Sequence, residues 1–88
     1  MAWAMDVEVR LYGALRRYRP GDAPGEPHMP FTVSLPPDAT LDSLARRLGI
    51  PDGFLSAAAV NNEAVDESAA LTDGDRVALF PPSAGGGR

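Results

Sequence analysis

Apolar side chains fall at every second residue in three separate runs of this chain and at every third or fourth residue in one, and that change of period limits its fold more than any other feature. Asp6–Tyr12 (DVEVRLY) sets Val7, Val9 and Leu11 on one face against Asp6, Glu8 and Arg10 on the other, the pattern of a half-buried strand. Phe31–Leu35 (FTVSL) alternates in the same way with Phe31, Val33 and Leu35 inward. Arg76–Phe80 (RVALF) points Val77 and Leu79 inward and Ala78 and Phe80 outward. Between these runs Leu41, Leu44, Ala45 and Leu48 stand at helical spacing, with Asp42, Ser43, Arg46 and Arg47 on the other side. Thr40 is placed to cap that helix, Asp42 to face the positive end of its dipole, and Arg46 and Arg47 the negative end. Gly49 can close it in the left-handed conformation, Ile50 can fold back on the last turn, and Pro51 prevents continuation. The helix is therefore bounded at Thr40–Leu48.

Proline and glycine mark the rest. Gly13–Pro30 carries four prolines and three glycines, so beyond a helical turn at Ala14–Tyr18 it reads as loop. Ser56–Asn61 (SAAAVN) reads as a short strand entering an asparagine turn, Ala64–Val65 as its brief return, and Leu71 as a core plug. Thr72–Asp75 (TDGD) is a turn, and Pro81–Pro82 end the last strand. The order strand, strand, helix, short strand pair, strand implies an α+β fold. A hairpin comes first, the helix covers one face of a mixed sheet, and a right-handed crossover returns the last strand beside the first. This is the ubiquitin-like β-grasp topology. A ferredoxin-like plait needs a second long helix, for which Ala14–Tyr18 is too short. The β-grasp domain is expected over residues 1–82 and a mobile glycine-rich tail over 83–88.

A length of 88 residues allows one domain. With no cysteine, a disulfide framework, thiolate metal sites, thiol catalysis and a side-chain persulfide are all excluded. Twelve acidic residues against eight arginines give net −4, which disfavours nucleic acid and anionic membranes and favours a partner with a basic face. No stretch approaches 18 consecutive apolar residues and the N-terminus lacks a signal peptide's pattern, so a cytoplasmic location is expected. The chain has no lysine, hence no side-chain amine through which copies of it could link to one another. His28 lies in the proline-rich loop without partners for a metal or a nucleophile. Asp73 and Asp75 fit turn chemistry better than paired acid–base roles, and no helix follows Gly85–Gly87 to make a phosphate cradle.

The run Leu71–Gly86, LTDGDRVALFPPSAGG, resembles the C-terminal signature of the MoaD/ThiS sulfur carriers, especially the small subunit of molybdopterin synthase. AAVNNE at Ala58–Glu63 is similar to that family's short strand ending in an asparagine turn, and VRLYGALRR at Val9–Arg17 to its first strand and following turn. The likeness covers most of the chain outside Arg19–Pro30.

That resemblance implies a carrier that is not itself an enzyme and binds no cofactor. Its C-terminal glycine carboxylate would be adenylated by a ubiquitin-activating-like adenylyltransferase that consumes ATP, then converted to a thiocarboxylate. The sulfur would pass to a pterin precursor on the larger molybdopterin synthase subunit. Physical chemistry is consistent with this: a carboxylate is a poor electrophile until its oxygen becomes a leaving group, and a glycine tail can thread a narrow channel. Phe80, Pro81, Pro82, Ser83, Ala84 and Gly85 are the expected partner-binding residues, with Pro81–Pro82 stiffening the exit. Phe80 either caps an edge of the core or anchors the partner. The family pattern stops at Gly-Gly, matching Gly85–Gly86, whereas Gly87 and Arg88 follow here. Either Gly86 or Gly87 is the expected reactive terminus, with a tail-trimming peptidase as a further partner if the extra residues must be removed. Alternatives are a carrier for another thiolation pathway, such as thiamine thiazole, cysteine or another sulfur metabolite, and a ubiquitin-like modifier or β-grasp interaction module.

Overall fold

Alternation in the first run produces β1, Met5–Leu11, whose residues are alternately buried and exposed along its whole length. The structure, a computed structural model, describes residues 4–82. β2 is Phe31–Leu35, α1 is Leu41–Leu48, β3 is Ala57–Val60, β4 is Glu63–Val65 and β5 is Arg76–Phe80. The strands form one mixed sheet in the order β2-β1-β5-β3-β4. β1 pairs antiparallel with β2 and parallel with β5, which pairs antiparallel with β3 on its other side. This is the expected β-grasp arrangement. The tail expected to be mobile, 83–88, lies outside the described residues.

The inward faces meet α1 in one core that includes Val7, Val9, Leu11, Phe31, Leu35, Leu41, Leu44, Leu71, Val77 and Leu79. Leu48, at the end of the helical stripe, also packs against that core but is only half-buried. The periodicity also passed over Met5, Leu15 and Ala39, which are buried although they stand at or beyond the ends of periodic runs.

α1 is capped as its sequence implies. Ser43 N–H donates to Thr40 Oγ1 at 3.3 Å, and Thr40 N–H donates to Ser43 Oγ at 3.1 Å. Gly49 closes the helix at φ 80°, and Ile50 N–H donates to Ala45 O, folding a buried side chain back on the last turn. Residues 66–71 wrap the other end, where Leu41 N–H and Asp42 N–H donate to Ala69 O and Glu67 O, each at 2.9 Å. Asp42 and Arg46 pair at 3.0 Å on an exposed face, where such a bridge adds little.

The helical turn expected at Ala14–Tyr18 is a 3-10 turn over Gly13–Tyr18 that buries Leu15. Beyond it Arg19 organises the proline-rich stretch. Its guanidinium donates to the carbonyls of Ala23, Pro24 and Gly25 and lies over the Phe31 ring, 5.4 Å from the centroid.

Candidate functional site

The tail leaves from β5, and the geometry around that exit follows from strand register. In the parallel β1–β5 pair Arg10 stands beside Ala78 and Leu11 beside Leu79, so the next outward residues, Tyr12 and Phe80, are brought together. Their rings stack with centroids 4.7 Å apart and planes 21° apart. Main-chain bonds hold the two strand ends: Tyr12 N–H donates to Leu79 O at 3.1 Å, and Ser56 N–H donates to Phe80 O at 2.9 Å. Gly13 then turns at φ 54°, close under the Pro81 ring.

Val77 and Leu79 are buried and Ala78 and Phe80 face outward, as the strand phase predicts. Phe80, on the central strand β5, is partly buried with Tyr12 stacked against it. Pro81 is half-buried and Pro82 exposed. Ser83, Ala84, Gly85, Gly86 and Gly87 lie outside the described residues. Sequence reading missed Tyr12 and Gly13. The signal was present, since Tyr12 continues the outward phase of Asp6, Glu8 and Arg10, and a parallel partner strand ending in an outward Phe80 implies an aromatic pair.

Away from the exit the polar groups are structural. Asp75 is 7% exposed and accepts from Asn61 Nδ2–H at 2.9 Å, Thr72 N–H at 2.8 Å and Thr72 Oγ1–H at 2.9 Å. Burial pushes its carboxyl pKa up, but the bonds from Thr72 and Asn61 together outweigh that and leave it below the ordinary carboxylate value. Asp73 Oδ1 accepts from Asp6 N–H at 2.8 Å, tying the turn to the start of β1. Turn chemistry thus accounts for both carboxylates. His28 is exposed, and among the described residues no group of three His, Cys, Asp or Glu side chains is arranged to hold a metal. An open groove of about 950 Å³ between α1 and β4 is rimmed by Asp42, Asp52, Asp66 and Glu67, and its Ser68 donates from both its N–H and its hydroxyl to Asp66 Oδ1, closing a local turn. No helix among the described residues is long and apolar enough to cross a membrane.

The family model described as ThiS family matches residues 9–86. The chain belongs to the ThiS family. That places it among the ThiS/MoaD-like ubiquitin-like sulfur carriers. Among solved structures, the Haloferax volcanii HVO 2177 protein is similar at 25% identity over 96% of this chain and 89% of its own, with a TM-score of 0.71. Subunit 1 in the Helicobacter pylori complex of molybdopterin-converting factor subunits 1 and 2 is 29% identical over 93% of this chain and 100% of its own, TM-score 0.55. SAMP1 from Haloferax volcanii, 24% identical over 92% of this chain and 99% of its own at TM-score 0.64, shares the fold. No curated protein sequence matches.

Proposed function

We propose that this chain is the sulfur carrier of a molybdopterin synthase, its C-terminal glycine activated and thiocarboxylated by a partner enzyme. The observation that carries the reading is the family match running through Phe80-Pro81-Pro82 to Gly86, on a strand whose end is held from both sides. In the first step a glycine carboxylate oxygen attacks the α-phosphorus of ATP, forming an acyl adenylate and releasing pyrophosphate. In the second, hydrosulfide adds to that carbonyl and AMP leaves with the carboxylate oxygen, releasing one proton, so the carboxylate becomes a thiocarboxylate. The chain contributes the carboxylate and its presentation, and the adenylyltransferase contributes ATP and the machinery. The 29% identical relative, named in complex with a second subunit, supports a larger synthase subunit as the recipient of the tail.

Intact mass spectrometry of protein purified from its native host tests this reading. A sulfur-for-oxygen mass increase on a chain ending at Gly86 or Gly87 is the expected result, and transfer of that sulfur to the pterin precursor with the larger subunit assigns the pathway. Such a thiocarboxylate used for thiamine thiazole, cysteine or another sulfur metabolite would keep the carrier and replace the pathway. A second reading, protein modifier, is favoured by the likeness to SAMP1, named in a solved structure as a small archaeal modifier protein. Higher-mass conjugates in cell extracts, without the sulfur-bearing free form, would establish it instead.

A further inference from the structure

Helix α1 is too small for the sheet it covers. Its eight residues span about 12 Å, whereas five strands at about 4.8 Å spacing make a sheet about 19 Å across. The shortfall lies toward β3 and β4, where the open groove of about 950 Å³ separates helix from sheet. Its lining is apolar at the bottom: Ile50 and Ala58 are buried, and Leu55 and Val65 are half-buried.

Two further features indicate what fills it. β4 is an edge strand, paired with β3 alone. The β3–β4 turn has two residues, so Val60 and Glu63 are the hydrogen-bonded pair that closes it, and one step along, Ala59 and Ala64 are a non-hydrogen-bonded pair. The N–H and C=O of Ala64 therefore point away from the sheet at its free edge. The second feature is charge. Asp52, Asp66 and Glu67 rim the groove, and among the described residues the one cation lining it, Arg46, is already paired with Asp42.

We propose that the groove and the β4 edge bind an extended, basic segment of a partner protein. The segment adds a strand beside β4 by pairing with Ala64, and lays alternate Lys or Arg side chains in the groove, their aliphatic stems on Val65 and their charged ends at Asp52, Asp66 and Glu67. An extended partner is required because a helix spends its main-chain groups internally and has none to offer Ala64. The acidic rim repels nucleic acid. A second copy of the chain would set Glu63, Asp66 and Glu67 of one β4 edge against those of the other. The groove opens on the helix side of the sheet and the Tyr12–Phe80 stack lies on the other face, so both can be engaged at once. The inference is independent of the sulfur-carrier reading, because it uses no residue of the tail.

The probe is a synthetic peptide, acetyl-Lys-Val-Arg-Val-Lys-Val-amide, titrated into the isotope-labelled full chain and followed by NMR. Two control peptides each keep one property. Replacing Lys and Arg by Glu preserves the alternation and reverses the charge, and replacing Val by Pro preserves the charge and removes the N–H groups that would pair with Ala64. The basic peptide is expected to shift the amides of Ala64, Val65, Asp66 and Glu67 along a saturable curve, with both controls at least about tenfold weaker. Asp52→Lys combined with Glu67→Lys, both exposed positions, should weaken the basic peptide about tenfold. Ala64→Pro should weaken it as much with the sheet intact, since the lost N–H serves no ladder bond.

Shifts centred outside the groove overturn the inference, as do equal binding by the proline peptide and wild-type affinity in either variant. If Ala64→Pro does not fold, the proline peptide on the wild-type chain decides the pairing. Shifts at β4 that grow with protein concentration in the absence of peptide would assign the edge to a second copy and overturn it as well. A chain that never acquires sulfur but binds the basic peptide as described removes the carrier reading and leaves this one standing.

Discussion

Leu44 is fully buried beneath the sheet, in the same cluster as Val7, Val9, Val33, Leu35 and Val77. Cutting it to alanine leaves a cavity that a helix fixed at both ends cannot collapse. Leu44→Ala is expected to cost about 2–5 kcal/mol in urea unfolding, a large share of the stability of so small a domain. An unchanged midpoint would refute the packing of that face. Asp75 carries the pH dependence at this scale. Its carboxyl is held below the ordinary value of 3.8, so as pH falls the unfolded chain takes up the proton first. The stabilisation is fully present above that ordinary value and is lost as pH falls through the lower folded value. Asp75→Asn turns an amide N–H toward either the Thr72 N–H or the Asn61 Nδ2–H, both of which are donors. The substitution should cost about 1–3 kcal/mol at neutral pH and flatten the acid limb of stability against pH, read by thermal melts at stepped pH. An unaltered acid limb would assign the pH dependence to other carboxylates.

At the scale of elements, the least regular segment has a specific organiser. Arg19 gathers the carbonyls of Ala23, Pro24 and Gly25 with one planar fork while its face rests on Phe31, which a lysine cannot do. Arg19→Lys is therefore expected to loosen residues 20–30 without disturbing the sheet. Limited proteolysis should cut the variant there several times faster at an unfolding cost of about 1–2 kcal/mol, the order of a few hydrogen bonds to a charged group. Equal cleavage of variant and wild type would show that the prolines hold the loop by themselves. The β3–β4 hairpin has a comparable local logic, because Asn61 and Asn62 adopt φ 52° and 72°, the left-handed pair that a two-residue turn between twisted strands requires. Asn61 also donates to Asp75 and accepts from Arg76 N–H, so the hairpin turn is joined to the start of β5.

For the whole molecule, one end of β5 is pinned by the Asn61–Asp75–Thr72 network and the other runs into Pro81–Pro82, so the central strand joins that network to the start of the tail. The described residues hold no phosphate-binding helix end or nucleophile–base pair at that exit. Incubated alone with ATP and sulfide, the chain is expected to acquire no sulfur, and adding the adenylyltransferase should start the reaction. A thiocarboxylate formed without that enzyme, detected by intact mass, would overturn the division of labour. Chains ending at Gly86, Gly87 and Arg88 should differ in adenylation rate, because each residue changes reach by about 3.5 Å and the attacking carboxylate must sit at a fixed distance. Equal rates for all three would remove the case for a glycine terminus.

Much of this was determined locally. Alternation placed β1, β2 and β5, the 3.6 period with Thr40 and Gly49 bounded α1, and paired asparagines placed the hairpin, because each signal lies within a few residues of the structure it specifies. The tail motif likewise pointed to a carrier, since a chain end needs no partner in the fold to be read. What only tertiary structure decided is what distant segments do to one another. Parallel register put Tyr12 on Phe80, the turn after β1 put Gly13 under Pro81, and Arg19 reached forward to fold a loop that proline content alone marks as irregular. No periodicity encodes those contacts. Each depends on the distance and angle between backbone segments brought together when the sheet and helix pack, and that geometry exists only once the core has closed.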